Sequence, residues 1–223
     1  MLARIGIIAL LATSAYSAAF AKISADPADL LISNVTVIDP ETRKVRLKQD
    51  IVIDDGRIIS VTASKKDRVE AKSVIDGSGK FAIPGLMDMH VHTNLRPLHK
   101  SSLALMFANG VTGARDMTSD CHSEKGIAMC IGEMRQAAEA SDIGTLTGPR
   151  LLALSSMKIQ SVGAPKDPSD PRARFFPQNP EQTAEMIKIL LARKPDIFKI
   201  GDALDTDSYK ELLSAARSNG IEV

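Results

Sequence analysis

The sequence predicts an α/β protein in which a small all-β unit is followed by strands that alternate with helices. An amino-terminal stretch, from about residue 30 to 81, contains short β-branched runs separated by turns. After it, apolar strand-like runs alternate with helical ones, which predicts a parallel sheet with right-handed crossovers. A chain of 223 residues that is 44% hydrophobic is long enough to bury a core.

Turn residues divide the all-β unit into its strands. A β-branched run at residues 31–38 ends at Asp39-Pro40, which favours a turn. Two apolar runs, at 50–53 and 57–61, flank Asp54-Asp55-Gly56, and this pattern predicts a β-hairpin. A short strand at 74–75 comes before a second Gly-rich turn.

The second part of the chain reads as repeated strand–helix units. The predicted strands are 86–92, 111–117, 150–159 and 196–200, the predicted helices are 101–109, 124–140, 180–193 and 205–218, and a fifth strand begins at 220. Residues 160–179 form a long loop rich in Pro, Asp, Ser and Arg. It leaves the carboxyl end of its strand, where α/β enzymes place their sites.

Composition narrows the class of binding partner. Lys and Arg total 28 and Asp and Glu total 27, so the chain carries a formal charge of +1. This balance provides no electrostatic attraction for nucleic acid or an anionic membrane surface. Aromatic residues make up only 4%, which argues against a base-stacking platform. The predicted partner is a small molecule.

Residues 1–21 have the pattern of a cleaved secretory leader. Arg4 precedes an apolar run at 5–13, and Ala19-Phe20-Ala21 fits a signal-peptidase site before Lys22. An uncleaved anchor is the alternative, but the run is shorter than the roughly 20 residues that span a bilayer. We therefore expect a periplasmic or secreted protein with no membrane anchor after cleavage.

Export affects the interpretation of the only two cysteines, Cys121 and Cys130. They are nine positions apart, which is too wide for a CxxC redox pair. An oxidising compartment permits a disulfide between them, whereas two unpaired thiols are the alternative. Both interpretations remain open, because the sequence does not show how close their Cα atoms come.

His90-Val91-His92 is the sharpest local signal for chemistry. Positions two apart in a strand share a face, so both imidazoles point the same way and could hold one cation. Imidazole nitrogen suits zinc and other divalent transition metals. Two ordinary strand histidines are the alternative, because His-x-His alone is common.

The residues around this motif resemble a known family. Residues 83–92 (IPGLMDMHVH) resemble the signature of the amidohydrolase superfamily, and residues 110–116 (GVTGARD) resemble a second-strand motif of its imidazolonepropionase-like and prolidase-like branch. The resemblance implies a TIM-type (β/α)8 barrel preceded by a small β-domain. The expected organisation is a leader at 1–21, an incomplete β-domain at 22–81, and about four βα units at 82–223, ending where the fifth barrel strand starts.

The resemblance also implies a metal site. It assigns His90 and His92 to the more buried of one or two divalent ions, with zinc expected first. Lys199, at the end of the predicted fourth strand, would be either a carboxylated lysine that bridges two ions or an unmodified lysine. Asp88 would either orient a ligand histidine or cap nearby backbone groups. Asp116 is expected to have a structural hydrogen-bonding role.

Other polar residues are expected to lie at the solvated surface. His99 and His122 fall in loops or helix starts. Arg172 and Arg174, in the long loop, could meet an anionic substrate, but a solvated surface is the simpler interpretation.

The activity that the resemblance implies is hydrolysis of a carbon–nitrogen bond, in a non-peptide amide or a short peptide, by a metal-activated water. The family's ligands on strands five and six, and its general base on strand eight, have no counterpart in this sequence. We therefore expect no catalytic residue within the chain and no turnover by the chain alone. The alternatives are an inactive remnant or metal-binding fragment, and one half of a split enzyme.

The leader prediction has a direct test. Signal peptidase cleaves after a small-x-small tripeptide, so the exported protein should begin at Lys22. Amino-terminal sequencing of secreted or periplasmic material measures this. Exported protein that retains Met1 would contradict the prediction.

Overall fold

A computed structural model describes residues 26–65, 69–201 and 204–223. The predicted leader, residues 1–21, lies outside these ranges. The chain divides into two compact units between Ile83 and Pro84. Both sheets and helices are present, so the predicted α/β class is confirmed. Within the described ranges, we find no helix with the length and apolar character needed to cross a membrane.

The first unit is a five-stranded sheet. Its strands are β1 (Ala28–Asp39), β2 (Lys44–Asp54), β3 (Arg57–Ala63), β4 (Ala71–Asp76) and β5 (Phe81–Ala82). The order is β3-β2-β1-β4, and β5 pairs with the far end of β1. Neighbours β1–β2 and β2–β3 are antiparallel, whereas β4 and β5 run parallel to β1. Ala28, Leu31 and Val52 form its buried cluster.

The predicted hairpin joins β2 to β3. Asp54 pairs with Arg57, which leaves a two-residue turn at Asp55 and Gly56. Both turn residues have positive φ, 48° and 67°, as a type I′ turn requires. Gly adopts this conformation without steric cost and Asp tolerates it, so these two residues fit the twist of the strands.

The second unit is built on a parallel sheet. Strands β6 (Leu86–Val91), β7 (Val111–Asp116) and β8 (Arg150–Leu154) lie in sequence order. The helices are α1 (His99–Ala108), α2 (Ile131–Asp142), α3 (Pro180–Arg193) and α4 (Thr206–Asn219), with a short 3-10 turn at Ala173–Phe175. Two buried clusters lie in this unit, and their largest fully buried side chains include Leu103, Met134, Leu154, Phe175 and Phe198.

The predicted fourth and fifth strands are present only as isolated parallel bridges. Ile197 bridges Ser155 on one side and Glu222 on the other, and Ile200 bridges Ile159. The strand order expected from the sequence therefore continues past β8. Residues 196–200 do not form a regular strand, so that part of the prediction was wrong. Their bridges to neighbouring segments run in the predicted parallel direction.

Serine side chains account for the early end of β8, which was predicted to reach residue 159. The Ser155 hydroxyl donates to the Ser156 carbonyl at 3.0 Å, and the Ser156 hydroxyl donates to the Met157 carbonyl at 2.8 Å. Such local side-chain bonds compete with the strand ladder. The backbone nevertheless keeps single bonds across the gap, such as Ser156 N–H to the Ile197 carbonyl at 2.8 Å.

Helix α2 begins at Ile131, whereas the sequence predicted a start near residue 124. Cys130 is its N-cap, and the Cys130 N–H donates to Glu133 Oε2 at 3.0 Å. Cys130 is disulfide-bonded to Cys121, with Cα atoms 4.5 Å apart. Residues 122–129 must therefore form a closed loop instead of the first helical turns. The structure has the disulfide, one of the two alternatives that the sequence left open.

The last two helices have side-chain caps at their amino-terminal ends. Asn179 accepts the Gln182 N–H at 2.9 Å, and Pro180 occupies the first turn of α3. Asp205 caps α4 in the same way, and Gly220 ends that helix with φ 65°. Each cap satisfies backbone groups that a helix end leaves without partners.

The disulfide should contribute measurably to stability. Replacing both Cys121 and Cys130 by Ser should lower the free energy of unfolding by about 2–3 kcal/mol, because the unfolded chain regains the freedom of the closed loop. Urea unfolding followed by circular dichroism measures the loss. Reductant should shift the wild-type midpoint and leave the midpoint of the double variant unchanged. Equal midpoints for the two proteins would contradict this expectation.

Candidate metal centre

Three nitrogen-bearing side chains predicted as ligands meet at the carboxyl ends of the parallel strands. His90 is the second-last residue of β6, and His92 directly follows the strand's last residue, Val91. Their Nε2 atoms are 3.2 Å apart. Lys199 lies 107 positions further on, and its Nζ is 3.2 Å from His92 Nε2. Both imidazoles are exposed and Lys199 is half-buried.

Strand geometry explains why the two imidazoles converge. Residues two apart in a strand point to the same face, so His90 and His92 are neighbours on one surface. Their ring centroids lie 5.2 Å apart with a tilt of 43°. Asp88, two positions earlier, accepts the His90 N–H at 3.1 Å. This contact corresponds to the alternative in which Asp88 caps the backbone.

The spacing of the two Nε2 atoms suits a shared cation. Two Zn–N bonds of about 2.0–2.1 Å at a tetrahedral angle separate the nitrogens by roughly 3.3 Å. The observed 3.2 Å is close to that value. Without a cation, the Nε2–H of one ring must donate a hydrogen bond to the Nε2 of the other, because two unprotonated nitrogens repel each other at this distance. The donor set therefore fits a divalent metal.

Within the described residues, no group of three or more His, Cys, Asp or Glu side chains forms a complete metal site. The two imidazoles and Lys199 are thus the ligand candidates that this part of the chain supplies. A lysine ammonium has no lone pair, so Lys199 could bind a metal only as a neutral amine or after modification.

The surroundings of Lys199 and His92 favour the neutral forms of these two side chains. Burial, and then the nearby charge of Lys158, lower the pKa of Lys199, while Asp116 opposes the shift. Although the His92 residue is exposed, partial burial of its ring, followed by the charges of Lys199 and His90, lowers the pKa of His92, and Asp116 again opposes the shift. Neutral imidazole is the form that coordinates a metal. The lowered pKa therefore brings His92 closer to the protonation state that ligation requires.

Lys199 is held at both ends. Its backbone N–H donates to the Ser156 hydroxyl at 3.0 Å. Its Nζ donates to the Met117 carbonyl at 2.6 Å. Met117 directly follows β7, so this bond joins the Lys199 side chain to the end of a neighbouring strand.

Asp116, the last residue of β7, is completely buried and fully hydrogen-bonded. Its Oδ2 accepts the N–H and the hydroxyl of Thr93, both at 2.7 Å. Its Oδ1 accepts the Thr118 N–H at 2.8 Å and the Ser119 hydroxyl at 3.0 Å. The hydrogen bonds that the sequence predicted for Asp116 are present. Thr93, which directly follows His92, was not singled out from the sequence.

The prediction that His99 is solvated was wrong. His99 begins α1 and is 4% exposed, and its Nδ1 lies 2.8 Å from the Thr93 carbonyl. The Thr93 carbonyl gives the buried ring a hydrogen-bond partner. Thr93 is therefore bonded on its N–H, its hydroxyl and its carbonyl. A threonine directly after His-x-His was the available signal, but it is too common a residue to stand out.

His122 is half-buried, so its predicted solvation was also wrong. Its ring packs on Phe175, with centroids 5.9 Å apart. Burial, followed by the charge of Arg172, lowers the pKa of His122. Arg172 pairs with Asp170, and Arg174 donates to the His122 carbonyl at 2.7 Å. Both arginines are exposed, as expected.

Comparisons with known proteins identify relatives over part of the chain. No protein-family model matches it. The adenine deaminase of Desulforamulus reducens is 40% identical over 79 residues, which is 35% of this chain and 13% of that protein. The dihydroorotase of Carboxydothermus hydrogenoformans is 42% identical over 91 residues, 38% of this chain and 20% of that protein.

A solved structure shares the fold over most of the chain. It is a Xaa-Pro dipeptidase with methionine bound in its active site, and it superposes with a TM-score of 0.65 at 21% identity. The match covers 86% of this chain and 55% of the dipeptidase, so the chain spans about half of that protein's length. The chain is therefore similar in sequence to the deaminase and the dihydroorotase over about a third of its length, and it shares the fold of the dipeptidase.

Proposed function

We propose that this protein is a hydrolase that breaks carbon–nitrogen bonds in small molecules at a divalent metal centre, with zinc the first candidate. The observation that carries the proposal is the convergence of His90, His92 and Lys199 at the carboxyl ends of parallel strands. In barrel enzymes, this end of the sheet is where catalytic residues collect.

Each of the three side chains has a distinct task in this proposal. His90 and His92 would hold the ion through their Nε2 atoms, because the distance between these atoms suits two nitrogens bound to one zinc ion. When bound, the ion would polarise a carbonyl group and make a water molecule more acidic. The bonds of the Lys199 N–H to Ser156 and of its Nζ to Met117 would keep that side chain directed at the histidines.

We further propose that Lys199 is carboxylated. Its neutral amine would attack CO2, form a carbamate C–N bond and release one proton to solvent. The carbamate oxygens would then provide the oxygen ligands that two adjacent ions need. The lowered pKa of Lys199, caused first by burial, supports this step because only the neutral amine reacts. The carbamate N–H would then donate the hydrogen bond that Lys199 Nζ now donates to the Met117 carbonyl.

The substrate class follows from the relatives' names. A deaminase removes an amino group, and a Xaa-Pro dipeptidase splits a peptide bond, so both break a carbon–nitrogen bond. We therefore propose an amide, a cyclic amide or a short peptide as substrate.

We also propose the finer architecture: residues 82–223 form the first βα units of a (β/α)8 barrel that follows a small β-domain at 22–81. The parallel order β6-β7-β8 and the bridges that extend it through Ile197 to Glu222 support this arrangement. An exported location is a further proposal. The Cys121–Cys130 disulfide supports it, because disulfides persist mainly in oxidising compartments.

A second candidate function is metal binding without turnover. A catalytic zinc site usually has three protein ligands and one open position. Two imidazoles and a lysine are the ligand candidates among the described residues, which favours a site that is incomplete within this part of the chain. Zinc binding together with no hydrolysis of a simple amide, a lactam or a dipeptide would support this candidate over the first.

Loss of either imidazole should remove the metal site. His90→Ala and His92→Ala should each weaken zinc binding by at least about 100-fold, because a lost ligand costs more than a lost supporting hydrogen bond. Competition with a chromophoric chelator measures the affinity. Any hydrolysis of the three substrate types should disappear in the same variants and on removal of metal.

His122→Ala is the matched control for these variants. Its ring packs on Phe175 and has no described hydrogen bond to the three site residues. It should keep wild-type zinc affinity. Equal affinity in all three variants and the wild type would overturn the proposed site.

If Lys199 is carboxylated, Lys199→Ala should lower the bound metal from about two ions per chain towards one, because the carbamate would supply oxygen ligands that alanine lacks. Acetate or propionate should restore part of the metal, since a carboxylate can occupy the vacated space. The same additions should not rescue His90→Ala, which has lost a nitrogen ligand. Elemental analysis measures the metal, and a carbamate signal in NMR with labelled CO2 reports the modification. Unchanged metal content in Lys199→Ala would mean that this lysine is structural.

A further inference from the structure

We propose that Asp116 is a positioning residue that holds His92 and Lys199 in the geometry of the metal site. This inference rests on the proposed function, because it assigns a role relative to that site. Asp116 touches neither a metal nor a substrate in this assignment, and it acts through the residues that it binds.

The Asp116 carboxylate joins the ends of neighbouring strands. Its two bonds to Thr93 fix the residue that follows His92 at the end of β6. The Ser119 hydroxyl, which donates to the same carboxylate, also accepts the Ser155 N–H at 3.1 Å. The Asp116 backbone carbonyl accepts this N–H as well, at 3.0 Å. One buried residue therefore connects the carboxyl ends of β6, β7 and β8.

The same segment reaches both metal-site groups. On one side of His92, the Val91 carbonyl accepts the Met117 N–H at 2.8 Å. On the other side, Thr93 donates to Asp116. His92 is therefore bracketed by bonds to Asp116 and Met117. The Met117 carbonyl in turn accepts Lys199 Nζ at 2.6 Å.

Only a carboxylate satisfies this arrangement. Each oxygen of Asp116 accepts one backbone N–H, from Thr93 on one side and Thr118 on the other. A backbone N–H cannot become an acceptor, so an asparagine amide would direct its NH2 group at one of the two donors. Asp116 is completely buried, so water cannot replace the lost bond.

A purely structural role is the competing interpretation, and it makes a different prediction. If Asp116 only stabilised the fold, losing one of its donors would lower stability without a specific effect on metal affinity. If it positions the ligands, losing the donor next to His92 should weaken metal binding in a protein that remains folded. Thr93 allows this test, because Thr93→Val removes one hydroxyl at nearly constant shape.

Thr183→Val is the matched control. Thr183 is also buried, and its hydroxyl lies 2.7 Å from the Ser208 hydroxyl, joining α3 to α4. Both variants exchange a buried hydroxyl for a methyl group, so their costs in stability should be comparable. Thr183 has no described hydrogen bond to Asp116, Thr93 or the histidine pair.

The experiment measures zinc affinity by chelator competition, and folding by thermal unfolding, on the purified chain and its variants. We expect Thr93→Val and Asp116→Asn to weaken zinc binding by about 10- to 100-fold, the range seen when a ligand loses its supporting hydrogen bonds. Thr93→Ser, which keeps the hydroxyl, and Thr183→Val should stay within about twofold of wild type. If Asp116→Asn does not fold, the comparison of the threonine variants decides the question.

The outcomes separate this inference from the proposed function. If the wild type binds zinc and Thr93→Val matches Thr183→Val in affinity, the positioning role is overturned and the metal site stands. If zinc binding in the wild type is absent, or does not depend on His90, both are overturned. A loss confined to Thr93→Val and Asp116→Asn, with Thr93→Ser near wild type, supports the positioning role.

Discussion

The arrangement of the parallel sheet depends on one buried carboxylate, that of Asp116. A charge in a protein interior is costly unless hydrogen bonds replace its hydration. Asp116 meets this requirement with four donors from the segments that follow β6 and β7. Those donors can converge only when the strand ends are in register. Through these hydrogen bonds, the pairing of the strands determines where the residues that follow β6 and β7 lie.

The electrostatics of the site follow from the same constraint. The His92 ring lies within hydrogen-bonding distance of both the His90 ring and the Lys199 amine, and the protonated forms of these groups would repel strongly. Burial adds to this by disfavouring charge, so the pKa values of His92 and Lys199 are both lowered. The negative charge of Asp116 opposes both shifts. The site is consistent with neutral nitrogens or with a metal ion among them.

The disulfide loop provides a second anchor for the segment after His92. Cys121 and Cys130 close the loop, and the Met129 N–H donates to the Asn94 carbonyl at 2.7 Å. The Asn94 amide donates to the Asp120 carbonyl at 3.0 Å. Residues 93 and 94 are therefore held from two directions, by Asp116 and by the loop. A covalent constraint that is far from the histidines in sequence thus acts on the chain beside them.

The sequence by itself determined the features that depend on neighbouring residues. The alternation of strands and helices, the hairpin at Asp55-Gly56 and the shared face of His90 and His92 follow from local backbone preferences. Tertiary structure decided the rest, because it depends on contacts between distant segments. The Cys121–Cys130 disulfide closes a loop, so that α2 begins at Ile131 and not near residue 124. Tertiary contacts also bury His99 against the Thr93 carbonyl. The hydrogen bond from the Thr93 N–H to Asp116 likewise depends on tertiary structure, because the carboxylate reaches this donor only after the strands have paired.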